Sequence, residues 1–361
     1  MDATPGIDAL AGGGLLLAQG LDPAWLALAA AAAPVAGVLS VGVACAALSA
    51  LAVAWGRGDP MDDAQARAFA GRRAGVARRL VWGVAVEGLW QTVAFALQAW
   101  RFVFPASLRR LEPAPDATPV LLLGGYLENS GLMALLGWRL RRRGHLCVPL
   151  DLPSTLRPIE DNARWLAERV DEVRARTGCA RVAIVGHSMG GVIGRALVLA
   201  GAPSPEAPPA AGGAEPGTGP DASARAGRAV AVVVSIASPH RGTRMGRLGL
   251  GPSARDMSPG SDFLRRHPPD RRGSAPVHSI LGFQENIVSP AWSSVLDPAA
   301  GETVVLDAPT GHVSPLFLAE TADHVDRWLR AATTDALAPA QTGALAPAPA
   351  DAPSGALAPA A

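Results

Sequence analysis

Residues 181–200 read RVAIVGHSMGGVIGRALVLA. Val182 to Val185 form a short apolar run rich in β-branched residues, the pattern of a strand buried on both faces. Val192 to Leu199 is a run of helix formers. Gly186, His187, Ser188, Met189, Gly190 and Gly191 lie between them, so the chain must pass from strand to helix in one sharp turn. A serine flanked two residues either side by glycine, on a strand–turn–helix, is G-x-S-x-G in the context that gives it meaning. Glycines let strand and helix approach closely, and the turn holds Ser188 Oγ above the sheet edge. The backbone N–H of Met189 and the positive end of the following helix lie beside it, placed to receive a developing negative charge. Ser188 is the candidate nucleophile and Met189 one candidate oxyanion donor.

The sequence upstream supplies a partner loop. Pro119 to Leu123 reads as a strand, followed by Gly124-Gly125-Tyr126-Leu127-Glu128-Asn129-Ser130 and a helix from about Gly131 to Arg143. A glycine pair after a strand allows a backbone N–H to turn inward, and Tyr126 N–H is the candidate second oxyanion donor. A strand ending at Asp151 follows. The helix from Asp161 to Arg176 has an apolar stripe of Ala163, Leu166, Val170 and Val173, and Thr177-Gly178 ends it. Downstream, Ala229 to Ala237, Val277 to Leu281 and Thr303 to Leu306 read as further strands, with a closing helix from about Pro315 to Ala331. The expectation is an α/β fold with a mostly parallel sheet flanked by helices.

A serine nucleophile needs a base and an acid that orients it. The loop after Val277–Leu281 contains Glu285, with Asp297 as a reserve, and the loop after the last strand contains His312. Chain order is then Ser188, Glu285, His312. His240, in the loop before the acid, and His324, inside the closing helix, read as structural. Residues 241–275 mix eight arginines with apolar residues and are long enough to cap the site.

The 361 residues allow one α/β domain plus appendages. The formal net charge is +1, which gives no signal for nucleic acid. All 32 basic residues are arginine. Cys45, Cys147 and Cys179 read as small apolar residues, neither a disulfide framework nor a metal site. No cofactor or metal is expected.

The domain is preceded by apolar sequence. After residues 1–23, Ala24 to Trp55 carries no charge and exceeds the roughly 20 residues that cross a bilayer. Leu80 to Pro105 is also apolar, with Glu87, Gln91 and Gln98 on one helical face. It reads as a second membrane helix or as an interfacial one. Residues 24–105 are therefore expected to be a membrane-associated helical region. Arginines at 57, 67, 72, 73, 78 and 79 place the intervening segment inside the cell by the positive-inside rule. A hairpin of two spans, the favoured expectation, would put the domain of residues 112–332 on the periplasmic face of a bacterial inner membrane; a second stretch lying only on the surface would leave it in the cytoplasm. Within that domain, residues 202–228 are expected to be a disordered insertion, and 333–361 a disordered Pro/Ala-rich tail.

Residues 119 to about 330 resemble the α/β-hydrolase superfamily, and more closely bacterial lipases of the triacylglycerol type. The resemblance is carried by VGHSMGG at 185–191, ASPHRGT at 237–243, ENIVSP at 285–290 and GHVS at 311–314. It implies an α/β-hydrolase fold, Ser188, His312 and Glu285 as catalytic triad, and Tyr126 and Met189 as backbone oxyanion donors. It also implies hydrolysis of carboxylic esters, lipid acyl esters in particular, through an acyl-enzyme. An ester or lipid substrate and the membrane are the partners expected. The sequence departs from that family in two places. Gly124-Gly125 stands where those lipases usually have His-Gly, and Glu285 stands where they usually have aspartate. Acyl transfer or thioester hydrolysis on the same triad, and a non-catalytic membrane scaffold with this fold, are the competing expectations.

Overall fold

The computed structural model describes residues 76–104, 107–108, 111–202, 220–306, 308 and 310–337. Six strands form one all-parallel sheet: β1 (Val120–Leu123), β2 (Cys147–Leu150), β3 (Val182–His187), β4 (Val230–Ile236), β5 (Val277–Gly282) and β6 (Thr303–Leu306). Their order is β2-β1-β3-β4-β5-β6. The α-helices are α1 (Val76–Val103), α2 (Ala134–Arg142), α3 (Ile159–Thr177), α4 (Met189–Ala200), α5 (Pro220–Arg228), α6 (Gly251–Asp256), α7 (Asp262–Arg266) and α8 (Ala319–Leu337).

The central strands are apolar throughout because both faces of the sheet are covered. Alternate residues serve opposite layers. Leu121, Leu123, Val182 and Ile184 pack with α3 and α4 through Leu166, Val170, Ile193 and Leu197. Val120, Leu122, Ala183 and Val185 pack on the other face with Leu136 of α2 and Val325 and Leu329 of α8. The helix α3 buries its expected stripe and ends at Gly178, whose φ of 75° is a left-handed cap. From β1 the chain passes outward to β2 and then returns to β3 on the other side of β1. The crevice where strand order reverses therefore opens between the carboxyl ends of β1 and β3, the usual place for a site in such sheets.

Three expectations outside this sheet are revised. The uncharged run Ala24 to Trp55 lies outside the described residues, as do residues 1–23. Within the stretch Leu80 to Pro105, α1 runs to Val103, and one of its faces packs on the domain. Ala94 is buried in the α2–α8 layer, Trp90 stacks on Phe317 with ring centroids 4.5 Å apart, and Glu87 is 2% exposed. The polar stripe faces the domain instead of a second membrane helix. Among the described residues, no helix is long and apolar enough to cross a membrane.

The expected disordered insertion also needs revision at its end. Residues 203–219 lie outside the described residues, but Pro220–Arg228 is the helix α5, with Ala226 fully buried among the residues of α3 and α4. Ala226 and the pairing of Arg225 with Asp171 fix to the domain a segment whose composition alone reads as unstructured. The closing helix starts later than expected, after a 3₁₀ turn at Ser314–Phe317, and extends to Leu337. Its burial of Trp328, Leu329 and Ala332 carries it past the start of the expected tail. Residues 338–361 lie outside the described set.

Candidate active site

The elbow is as tight as the glycine spacing requires. Ser188 has φ 52° and ψ −122°, a conformation that costs a non-glycine residue about 1–3 kcal/mol. The surroundings impose it: Ser188 N–H donates to Ile236 O at 2.8 Å, and a Cβ on Gly186 would overlap the backbone of Gly190. Ser188 is 7% exposed, at the N-terminus of α4.

The loop after β1 closes over the serine. A Cβ on Gly125 would lie 2.6 Å from Ser188 Cβ and 3.0 Å from His187 O, so only glycine fits there. Gly125 N–H donates to Glu128 Oε2 at 2.5 Å. That leaves Tyr126 N–H as the next donor along the loop. Neither Tyr126 N–H nor Met189 N–H meets an acceptor, so both donors are unpaired among the described residues. Tyr126 also ties the loop to the segment before α6: its hydroxyl donates to Leu250 O at 2.9 Å and accepts from Leu250 N–H at 2.7 Å.

The acid and the imidazole meet each other. Glu285 follows β5, and one of its oxygens, Oε1, accepts from the N–H groups of Asn286, Ile287 and Val288 at 2.9, 2.8 and 3.0 Å. The same oxygen lies 2.9 Å from His312 Nδ1. An oxygen surrounded by donors fixes the tautomer: Nδ1 carries the proton and Nε2 is left as the basic nitrogen. Burial pushes the Glu285 carboxyl up, but the charge of His312, its hydrogen bond and the backbone N–H groups outweigh it and hold the group below the usual carboxylate range. Burial lowers the His312 pKa, yet the charge and hydrogen bond of Glu285, with Glu128 and Glu87 further off, win and raise it to about 9. His312 is fixed through its backbone as well, its N–H donating to Asn286 Oδ1 at 2.7 Å.

His187, the variable residue of the motif, joins these parts. Its Nε2 lies 3.0 Å from His312 O and so donates to it, and its Nδ1 lies 2.8 Å from Glu128 Oε2. Its ring lies 4.7 Å from that of His312, centroid to centroid. The covalent neighbour of Ser188 thus touches the candidate base. Glu128, His187 and His312 place ligand-type atoms within 4.8 Å of one another, close enough to share a cation. Here the imidazole and carboxylate of His187 and Glu128 bond to each other.

The secondary readings of the sequence fall into place around this centre. His240 is fully buried, with Nε2 2.8 Å from Ser235 Oγ, and burial drives its pKa well below the ordinary value. It is a neutral loop histidine. Asp297 accepts from Ala299 N–H at 2.8 Å within its own turn. Cys147 and Cys179 are buried and free. Residues 241–275 form a 3₁₀ turn, α6 and α7. Buried Arg195 of α4 anchors the far end of this segment through His267 O and Pro268 O. A cavity of about 660 Å³ opens between α1 and the loops after β1 and β2, lined by the apolar Phe95, Ala99, Phe102, Leu127 and Leu152 and by the polar Gln98, Arg101, Glu128, Asn129, Asp151 and Thr155. Sequence did not single out Glu128 or His187 as site residues, and it noted Glu87 only as part of a polar helix face. The polar stripe on α1 was the available signal for Glu87.

No family model matches the chain, and no curated protein matches it. Among solved structures it is similar to Aspergillus fumigatus lipase B, at 18% identity and a TM-score of 0.44, over 55% of this chain and 49% of that one. The chain thus spans about half the length of the fungal lipase. It is also similar to the mature Bacillus licheniformis lipase BlEst2, at 17% identity and 0.41, over 61% of this chain and 94% of that one. A membrane phospholipase A described as a bacterial virulence factor shares 17% identity at 0.39, over 71% and 95% of the two chains. These neighbours are two lipases and a phospholipase A.

Proposed function

We propose that the protein is a serine hydrolase of carboxylic esters, lipid acyl esters among them. The observation that supports the reading is the bond between Glu285 Oε1 and His312 Nδ1, which fixes an imidazole whose backbone carbonyl bonds His187, the chain neighbour of the strained Ser188. Ser188 Oγ attacks the ester carbonyl while His312 Nε2 takes its proton. Negative charge on the carbonyl oxygen is received by the N–H groups of Tyr126 and Met189. The imidazolium, stabilised by Glu285, returns the proton to the leaving alcohol as the acyl–oxygen bond breaks. Water activated by His312 then cleaves the acyl-enzyme and regenerates Ser188.

Several features support an acyl substrate that is long and apolar. The cavity between α1 and the β1 loop has the size of a small-molecule site and walls mostly apolar by area. Apolar residues stand exposed nearby, Phe102 at 81% and Leu250 at 71%. We assign residues 24–55 as the anchor to the inner membrane. Because α1 docks on the domain, this arrangement keeps the catalytic domain on the same side as the arginine-rich segment, the cytoplasmic side by the positive-inside rule. Protease access in sealed vesicles of known orientation tests that placement.

The activity itself is tested with p-nitrophenyl esters of increasing chain length and a serine-directed fluorophosphonate. Wild type is expected to hydrolyse the esters and take the label, and Ser188→Ala to do neither. Labelling that survives the substitution refutes the assignment of Ser188.

A further inference from the structure

We infer that α1, which lies outside the hydrolase sheet, is a strut that sets the spacing of the catalytic loops, and that Glu87 is a positioning residue for His312. The inference rests on the reading of His312 as the base. Both oxygens of the Glu87 carboxylate are used: Oε1 accepts from Val313 N–H at 2.7 Å and Oε2 from Ser314 N–H at 3.1 Å. These donors begin the 3₁₀ turn at Ser314–Phe317, where no backbone acceptor within the turn is available. The bonds lock the residues immediately after His312. Gly311, on its other side, leaves room for the carboxylate: a Cβ there would lie 2.6 Å from Glu87 Cδ.

The other end of the same helix face holds the oxyanion loop. Gln98 Oε1 accepts from Asn129 N–H at 3.2 Å, and Gln98 O accepts from Asn129 Nδ2 at 3.0 Å. Arg101 Nε donates to Ser130 Oγ at 2.7 Å and pairs with Asp151 at 3.3 Å. Asp151 in turn accepts from Ser130 N–H. Glu87 and Gln98 are separated by roughly 16 Å along the helix axis. One rigid element therefore grips the loop of the base at one point and the loop of the oxyanion donor at another. The two loops belong to different β–α units, and α1 joins them on the outer side while His187, at the end of β3, joins them on the inner side.

Glu87 also contributes charge. The titratable groups facing His312 are Glu285 at Nδ1, the His187 ring, Glu128 behind His187, and Glu87 behind the loop. Removing the Glu87 charge eases loss of the His312 proton. Glutamine at this position keeps one acceptor but turns an N–H₂ group toward a backbone N–H, so the loop is also released on one side.

The test compares Glu87→Gln, Glu87→Asp and the control Leu89→Ser, an exposed position on α1, using a soluble short-chain p-nitrophenyl ester. Glu87→Gln is expected to lower kcat about tenfold, as loss of a charge-assisted hydrogen bond does, with KM within about twofold, and to move the acid limb of kcat/KM to lower pH. Glu87→Asp retains the charge and is expected to lower kcat while leaving that limb in place. Leu89→Ser is expected to match wild type. The NMR titration of the His312 imidazole reads the charge effect without substrate, so it holds even if the wild type proves inactive on esters. An unchanged kcat with an unchanged His312 midpoint in Glu87→Gln overturns the inference, as does a KM increase that accounts for the whole loss. Thermal unfolding identifies a variant that fails to fold. If glutamine does so, a wild-type kcat in Glu87→Asp overturns the positioning role.

Discussion

Replacing Glu285 by glutamine separates what the acid does by charge from what it does by geometry. Oε1 of Glu285 accepts three backbone N–H bonds and faces His312 Nδ1. In a glutamine the amide oxygen is held on the same three N–H groups, because its N–H₂ end would face donors there. The imidazole then still donates through Nδ1, and its tautomer is kept. In serine proteases the aspartate-to-asparagine change inverts the tautomer and costs about ten-thousand-fold. Here that part of the loss is absent. What disappears is the difference between a charged and a neutral acceptor for a developing imidazolium, about 1–1.5 kcal/mol. That converts to a fall in kcat of about 5- to 13-fold. Glu285 is also the largest influence raising the His312 pKa, so the acid limb of kcat/KM is expected to drop from about 9 toward the ordinary histidine range. Ester hydrolysis from pH 5 to 10, with wild type and variant side by side, measures both. A ten-thousand-fold loss would refute the tautomer reasoning. An unmoved pH limb would refute the claim that the Glu285 charge sets the basicity of His312.

Further outcomes follow from the same geometry. In the wild type, His312 accepts a proton only when neutral, and its pKa is raised to about 9, so kcat/KM is expected to climb with pH through that region. A profile already flat above pH 7 contradicts this. Gly125→Ala places a Cβ 2.6 Å from Ser188 Cβ and 2.9 Å from Glu128 Oε2. It is expected to cut kcat by at least about tenfold through displacement of the oxyanion loop, measured as kcat and as the rate of fluorophosphonate labelling. Tyr126→Phe removes both bonds to Leu250 and is expected to raise amide exchange in residues 248–251 while leaving the β1 loop in place. Burial pushes the Cys147 thiol up to about 11, against a smaller opposing influence of Arg141. At pH 8 roughly one thiol in a thousand is then ionised, so alkylation is expected only on unfolding, read by mass spectrometry of the Cys147 peptide.

Much of the domain was legible because its signals are local. Strand β3, the Gly186–Gly190 spacing and the helix start of α4 lie within one stretch, and no distant residue is needed to infer the turn. The positions of Glu285 and His312 after β5 and β6 follow from strand order, because a parallel sheet brings the carboxyl ends of its strands to one edge. That these two side chains bond is a tertiary fact. The aromatic and polar pattern of α1 shows how the difference arises. Periodicity placed Glu87 and Gln98 on one face of a helix, but a helix face does not record what covers it. Apolar surroundings with a buried polar stripe describe a membrane bundle and a docked strut equally well.

The sequence by itself determined the sheet, the elbow and the order of the candidate triad, because each rests on residue spacing within one strand–loop–helix unit. Only the tertiary structure decided that Glu87, 226 residues from Val313, caps the loop of His312, that His187 and Glu128 bond beside it, and that Pro220–Arg228 is ordered. Those outcomes depend on which surfaces meet, and burial of a carboxylate or of one alanine is settled by the partner that covers it, not by the neighbours it has along the chain.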